Sequence, residues 1–130
     1  YKTNMLSSDI IKELRTHGLF VYAESADPRL IDEIGLGGVI IYPVQKGAGS
    51  IIAGIEKIKD MELFVTKNSY NLLNELRNYV WDKDKDGNYI NSPIDDYNHA
   101  IDAMRYYVLS VLLGKVAKPR KITKSDIGIF

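Results

Sequence analysis

The sequence predicts an α/β domain with a partly parallel sheet. Short apolar runs of strand type alternate with stretches whose apolar residues recur at helical spacing, as in strand–helix–strand units. Hydrophobic residues make up 45% of the 130 residues and charged residues 26%, which is ordinary for a globular domain with one core. No apolar run approaches the roughly 20 residues that a membrane-spanning helix needs, so we expect no membrane partner.

The first half of the chain carries clear signals for helix boundaries. Ser7 or Ser8 can cap a helix that Gly18 closes. Asp27 followed by Pro28 is a helix cap with proline at the first helical position. The strands that alternate with these helices are predicted at residues 19–24, 39–44 and 61–66, and the second is apolar enough to be covered on both faces.

The second half predicts two further helices, a hairpin and a long last helix. Isoleucines recur at helical spacing after the loop KGAGS, and Ser69 can cap the helix that follows it. The sequence Lys-Asp-Gly-Asn is a turn signal between two short strands. The predicted elements are helices at 51–59, 70–79 and 92–114 and a hairpin around the turn at 85–88. We therefore predict one domain over residues 1–114, followed by a basic tail over 115–130.

The sequence DKDKDG, which starts at Asp82, matches the opening of an EF-hand calcium loop. Asp82, Asp84, Asp86 and Gly87 fall in register, but position 12 of the loop is Pro93, which has no carboxylate. Alternating Asp and Lys with Asp-Gly is typical of an exposed hairpin tip. We therefore interpret this segment as a turn, with adventitious weak cation binding as the alternative.

A better candidate for a functional acid lies in the predicted last helix. Asp95, His99 and Asp102 are spaced i, i+4 and i+7, which places them on one helical stripe. A capping and surface role suffices for Asp95 and Asp96. His99 and Asp102 are expected one to three turns into an apolar helix, where a buried carboxylate requires a partner or a metal ion. Arg105, three residues after Asp102, could form a structural ion pair with that carboxylate.

A second acid ends the first predicted strand. Glu24 has no capping role, whereas Asp27 does, and the carboxyl ends of parallel strands are where α/β proteins usually build sites. We expect Glu24 to converge with Asp102, where cations must neutralise the like charges. Oxygen ligands select Mg²⁺ or Mn²⁺. Two such ions about 4 Å apart can activate water and stabilise the leaving oxygen in phosphodiester cleavage.

Four collinear segments resemble the C-terminal nuclease domain of tailed-bacteriophage terminase large subunits. They read VYAESADPRLIDEI, IYPVQKGAGSIIAGI, NELRNYVWDKDKDG and SPIDDYNHAIDAMRYYV. The resemblance runs from about Thr3 to Leu112, and DDYNHAIDAMRY is its most specific part. It implies an RNase H-like three-layer fold that lacks its N-terminal strands in this chain. It also implies a nuclease that cuts concatemeric double-stranded DNA with two divalent ions, Mg²⁺ or Mn²⁺.

The resemblance also implies roles for individual residues. It places metal-binding carboxylates at Glu24 and Asp102, with His99 beside them as a further catalytic residue. The family pattern Asp-Ser-Ala-Glu-Pro reads Glu-Ser-Ala-Asp-Pro here, so Asp27 becomes a further candidate metal ligand. KGAGS is not a phosphate-binding loop, because G-x-x-x-x-G-K-[ST] is absent. Lys46, at its start, and Arg105 are the candidate DNA contacts.

The family's first catalytic Asp lies on the opening strand of the RNase H-like sheet, and this chain begins after that strand. We therefore expect the isolated chain to be a weak or inactive nuclease, and its exposed sheet edge could pair with another copy. The tail could hold phosphates electrostatically, since residues 115–124 include five basic residues. The residues encoded before Tyr1 decide whether the missing strand and its Asp exist.

The resemblance implies several partners: double-stranded DNA, an ATPase domain in the same full-length chain, and the portal and small terminase subunit. It implies the cytoplasm of the bacterial host as the location, which the absence of cysteine also fits. Lys+Arg and Asp+Glu both number 17, so net charge indicates no partner. Two alternatives stay open, namely another RNase H-like nuclease of the resolvase type and a non-catalytic docking module whose acids are structural.

Overall fold

The computed structural model describes residues 1–114, which fall into two compact units. One unit comprises Tyr1–Gly47 and the described residues from Leu109 to Gly114, and the other comprises Ala48–Val108. The predicted basic tail lies outside the described residues, and the single domain over 1–114 stays a prediction. Within residues 1–114, no helix combines the length and the hydropathy that a membrane span requires.

Helices and short strands alternate along the described chain, so the predicted α/β class is confirmed. The helices are α1 (Ser7–His17), α2 (Pro28–Leu36), α3 (Ser50–Lys59), α4 (Tyr70–Asn78) and α5 (His99–Tyr107), and a π-helical turn, Val108–Leu112, continues α5. The strands are β1 (Val21–Ala23), β2 (Ile41–Pro43), β3 (Trp81–Lys83) and β4 (Tyr89–Pro93).

The first unit is organised around two parallel strands. β1 pairs with β2 so that Tyr22 lies opposite Tyr42, and their stacked rings have centroids 5.7 Å apart. α2 packs on β2, and its residues Ile31 and Ile34 are buried. The strand residues themselves are half-buried, so the expectation of a strand covered on both faces is wrong for β2 within the described residues. Because β1 and β2 run parallel, the loops that follow them leave the same edge of the sheet.

Most of the local boundary signals in this unit are confirmed. Gly18 ends α1 in the left-handed region with φ 61°, which glycine adopts at little cost. Asp27 accepts a backbone N–H in the first turn of α2, and Pro28 is the first residue of that helix. The predicted serine cap of α1 is wrong. Ser7 lies inside the helix, and its hydroxyl donates instead to the Glu33 carboxylate at 2.5 Å.

The second unit contains the predicted hairpin, in which β3 and β4 pair antiparallel. Asp84 Oδ1 accepts the backbone N–H groups of Asp86 and Asn88, each at 2.9 Å. The bond from Asn88 is the main reason that the pKa of Asp84 lies below its ordinary value. Gly87 takes φ 86° in the turn. Asp84, in the middle of the EF-hand-like sequence, therefore stabilises the hairpin turn.

The predicted third strand is wrong. Residues 61–66 are not part of a strand, and Phe64 within them is 82% exposed. β-propensity measures how well side chains fit a pleated, half-buried surface, and a strand exists only where a neighbour bonds to it. The apolar composition of this segment therefore indicated a preference for extended backbone, but it did not indicate whether another strand would pair with it.

The start of the last helix also differs from the prediction. α5 begins at His99, whereas Pro93 ends β4 and Asp95 lies in the loop between them. Asp95 is thus outside the helix, and the predicted stripe of Asp95, His99 and Asp102 does not form. The Asp95 carboxylate accepts a hydrogen bond from the Asn98 side chain at 3.1 Å, which is a local loop contact.

Helix α5 packs on α3 at a glycine. Arg105 is only 2% exposed, and its aliphatic stem lies against Gly54. A Cβ at residue 54 would overlap the Arg105 Cγ and would stand 2.9 Å from its Cδ. Interiors are close-packed, so a methyl group has no room here unless Arg105 moves. The absence of a side chain at residue 54 therefore leaves the space that the Arg105 stem occupies.

We predict that Gly54→Ala lowers the free energy of unfolding by about 2 kcal/mol, because overlap with the buried Arg105 outweighs the helix propensity of alanine, which favours the change by about 1 kcal/mol. Urea unfolding measures the change. In an Arg105→Ala background the overlap is absent, so the same substitution should be neutral or stabilising there. An equal loss of stability in both backgrounds would contradict the packing argument.

Candidate functional site

Glu24 and Lys46 come together at the carboxyl edge of the parallel strands. Glu24 follows β1, and its carboxylate accepts the backbone N–H of Ala26 at 3.1 Å. Lys46 follows β2, and its Nζ lies 2.5 Å from the Glu24 Oε1. Ala23 is the register partner of Pro43, so the two loops leave the sheet side by side. The structure thus places two predicted site residues in one ion pair, with side chains 41% and 40% exposed.

Asp27 lies in the same loop as Glu24, three residues further along the chain. Its Oδ1 accepts the N–H of Leu30 at 3.1 Å, so the predicted capping role is confirmed. The side chain is exposed at the start of α2, where a carboxylate is also favoured by the helix dipole. A role for Asp27 as a metal ligand stays a prediction.

Asp102 lies in the first turn of α5 and is bound to Arg105. Its Oδ1 accepts hydrogen bonds from the Arg105 Nη2 at 2.8 Å and Nε at 3.3 Å, while the Tyr106 hydroxyl stands 3.5 Å from Oδ2. The Arg105 side chain is 3% exposed and that of Asp102 is 27% exposed. The ion pair is one of the two roles predicted for Arg105. Its contact with DNA stays a prediction and would require this buried side chain to become exposed.

His99 is exposed as the first residue of α5. The expectation that His99 and Asp102 lie well inside a buried helix is wrong, because α5 begins at His99 and both residues belong to its first turn. The structure nevertheless keeps them on one short segment. An exposed imidazole and a half-buried carboxylate therefore lie at the same helix end, where the positive pole of the helix dipole favours negative charge.

Glu75 is a buried acid that the sequence reasoning missed. It is 4% exposed in α4, and its Oε2 accepts the N–H groups of Ala100 at 2.8 Å and Ile101 at 3.0 Å. These N–H groups lie in the first turn of α5, which has no helical acceptor for them. One signal was available in the sequence. Glu75 shares a helix face with Leu72 and Tyr79, at spacings i−3 and i+4, and an acid on an apolar face needs a donor.

The electrostatic influence of the Asp102–Arg105 pair reaches Tyr79. Burial raises the pKa of the Tyr79 hydroxyl above its ordinary value, and the negative charge of Asp102 raises it further. Arg105 acts in the opposite direction, and Asp95 adds a smaller rise. A neutral phenol is therefore favoured beside the carboxylate, since ionisation would place two negative charges close together.

The donors at these positions suit a hard divalent ion in chemical type. Glu24, Asp27 and Asp102 offer carboxylate oxygens, which Mg²⁺ and Mn²⁺ prefer. Within neither unit do three or more His, Asp or Glu side chains form a group that could hold a metal ion, as far as residues 1–114 show. In the described geometry Glu24 is matched by Lys46 and Asp102 by Arg105. The convergence of Glu24 with Asp102 stays a prediction.

Comparisons with known proteins agree with the architecture. The family model of the terminase RNase H-like domain matches residues 2–110. The structure is similar to a crystal structure of the g2p (large terminase) nuclease domain from bacteriophage SPP1 with bound Mn, with a TM-score of 0.68 and 28% sequence identity. The match covers 79% of this chain and 60% of that one, so the chain spans about 60% of the solved domain. No curated protein matches. The predicted RNase H-like fold is confirmed.

We predict that Asp102→Asn lowers the pKa of Tyr79 but leaves it above the ordinary value for tyrosine, because burial, the larger cause, remains. NMR titration of tyrosines labelled with ¹³C in the ring measures the pKa, with the Tyr79 signal assigned by its loss in Tyr79→Phe. Asp96→Asn is the control, since this exposed acid does not contribute to the shift. A Tyr79 pKa that is identical in Asp102→Asn and the unmodified chain would refute the described proximity.

Proposed function

Since the chain belongs to the terminase RNase H-like domain family, we propose that it is the nuclease segment of a phage DNA-packaging terminase and cuts double-stranded DNA with divalent metal ions. The observation that carries this proposal is the Asp102 carboxylate, which is half-buried with one oxygen committed to Arg105. The family match over residues 2–110 includes Glu24, Asp27 and His99 as well. It also favours a terminase over an RNase H-like nuclease of the resolvase type.

Asp102 is the first proposed metal ligand. Arg105 holds its Oδ1, so Oδ2 is the oxygen that would bind an ion, with the Tyr106 hydroxyl 3.5 Å away. The bound Mn in the related SPP1 domain supports Mn²⁺ or Mg²⁺ as the ion. Two divalent ions would supply a bound water as nucleophile and would stabilise the leaving oxygen of the phosphodiester. Arg105 keeps the carboxylate in a single orientation for this task.

Glu24 is the second proposed ligand, and Asp27 is a further candidate in the same loop. Glu24 would hold an ion through the carboxylate that now pairs with Lys46. Lys46 is exposed enough to turn away from Glu24 and to contact a DNA phosphate instead. We assign His99, exposed at the start of α5, the role of orienting a water molecule or a carboxylate.

The wider role follows from the family and is likewise proposed. The substrate is concatemeric double-stranded DNA in the cytoplasm of the bacterial host. The partners are an ATPase domain of the same polypeptide, the portal and the small terminase subunit. A docking module with purely structural acids is the competing function, and the described ion pairs of Glu24 and Asp102 are compatible with it. Metal binding distinguishes the two proposals.

We predict that the chain binds Mn²⁺ and that Asp102→Ala and Glu24→Ala each weaken this binding at least about tenfold. Calorimetry measures the dissociation constant, and Asp96→Ala is the matched control with an exposed acid outside the proposed site. Lys46→Ala should strengthen Mn²⁺ binding, because the competing cation of Glu24 is removed. Where the gene encodes residues before Tyr1, the titration is repeated with them present. No binding at millimolar Mn²⁺ in either form favours the docking module.

We also predict that the isolated chain cleaves plasmid DNA weakly or not at all with Mn²⁺, because it spans only about 60% of the solved SPP1 nuclease domain. Gel analysis of supercoiled plasmid measures nicking and linearisation. The matched comparison is the same chain extended by any residues encoded upstream. Robust cleavage by the isolated chain that Asp102→Ala abolishes would show instead that the residues of this chain suffice for catalysis.

A further inference from the structure

The first turn of α5 receives its cap from another helix. Asn98 precedes the helix and makes no side-chain cap bond. Its Nδ2 donates to the Asp95 carboxylate at 3.1 Å. The N–H groups of Ala100 and Ile101 are bonded instead by the Glu75 Oε2 from α4. These bonds span 25 and 26 residues along the chain. Tertiary structure, and not the local sequence, therefore determines where α5 begins.

A carboxylate suits this position for two reasons. One oxygen of Glu75 accepts two N–H groups, and a hydrogen bond to a charged acceptor is roughly twice as strong as one between neutral groups. The positive end of the helix dipole also favours a negative charge at this point. Glu75 is 4% exposed, so these bonds compensate for removing its carboxylate from water. The contact is therefore both directional and difficult to replace.

The capped turn is the one that carries His99 and Asp102. Asp102 follows Ile101 directly, and its own N–H bonds to the Asn98 carbonyl at 2.6 Å. The point at which α5 starts and the rotation of its first turn therefore decide where the Asp102 carboxylate stands. If α5 began earlier, as the sequence pattern suggests, the residue would lie one or two turns further into the helix. Its distance from the helix end is set by the Glu75 bonds.

We infer that Glu75 is a positioning residue for the proposed metal site, holding the first turn of α5 so that Asp102 and His99 present their side chains in a fixed place. This inference rests on the proposed function, since it assigns Asp102 to metal binding. Groups that orient a metal ligand from behind are often nearly as important for affinity as the ligands themselves. Glu75 acts through the backbone of the helix, and its carboxylate is occupied by that task.

The test compares Glu75→Ala, Glu75→Gln and Leu73→Ala in the full chain. Glu75→Ala removes the cap, and Glu75→Gln keeps the shape and an acceptor oxygen but loses the charge. Leu73→Ala is the matched control, because Leu73 is a half-buried residue of the same helix that makes no bond to α5 through its side chain. Amide hydrogen exchange of Ala100 and Ile101, the thermal midpoint and the Mn²⁺ dissociation constant are measured for each variant.

We expect Glu75→Ala to speed amide exchange at Ala100 and Ile101 and to raise the Mn²⁺ dissociation constant about tenfold. Glu75→Gln should raise it by less. Leu73→Ala should lower the thermal midpoint without changing the affinity of the folded chain for Mn²⁺, since the cap remains. If Glu75→Ala does not fold, the comparison of Glu75→Gln with Leu73→Ala decides. An affinity that Glu75→Gln leaves unchanged then overturns the inference.

The same measurements separate this inference from the proposed function. If the unmodified chain binds Mn²⁺ and Asp102→Ala weakens binding, but Glu75→Ala does not, only the positioning role of Glu75 is wrong. If Glu75→Ala and Leu73→Ala change the affinity equally for an equal loss of stability, Glu75 is merely structural. If no form of the protein binds Mn²⁺, the proposed function fails and the positioning role fails with it, while the exchange data still report on the cap.

Discussion

The buried guanidinium of Arg105 is the constraint on which the described geometry of the second unit depends. A charge removed from water to this extent, 2% exposed, destabilises the fold unless a counter-charge and hydrogen bonds accompany it. Asp102 supplies both, with two nitrogen atoms of Arg105 on its Oδ1. Gly54 supplies the space for the arginine stem. The packing of Arg105 on Gly54 is thus coupled to the candidate site, because Asp102, the proposed metal ligand, is also the counter-charge of the buried Arg105.

The two ion pairs that involve proposed metal ligands, Glu24–Lys46 and Asp102–Arg105, differ in how readily the basic partner can leave. Glu24 and Lys46 are both about two-fifths exposed, and such pairs contribute little stability because water screens them. Lys46 can therefore leave Glu24 at small cost. Arg105 cannot leave Asp102 without remaining buried and unpaired, which is expensive. We infer that the Glu24 carboxylate can change its partner and position, whereas that of Asp102 is fixed. The side chain of Glu24 is one methylene longer than that of Asp102, which gives it more freedom to move.

The fold could be predicted from the sequence wherever its signals act over a few residues. Gly18 ends a helix, Asp27 caps one and Gly87 turns the hairpin, because each meets a local conformational need. The prediction failed at residues 61–66, where apolar composition said nothing about whether a neighbouring strand would bond to them. It failed also for Ser7, whose hydroxyl was expected to accept an N–H of the first helical turn but donates instead to the distant Glu33. Local conformational preferences can be predicted from the sequence, whereas the choice among partners that are distant in the chain cannot.

The contacts at the candidate site are likewise predictable only where they are local, but the role of Glu75 could have been inferred from the sequence. The pairing of Asp102 with Arg105 follows from spacing on one helix, whereas the pairing of Glu24 with Lys46 depends on the register of two strands. Glu75 needed a donor, because it shares an apolar face of α4. The first turn of α5 needed an acceptor, because Asn98 makes no side-chain cap bond to it. Each need is visible separately, and the bonds from Ala100 and Ile101 to Glu75 satisfy both. A buried acid on an apolar helix face is therefore best matched against helix starts that lack a cap of their own.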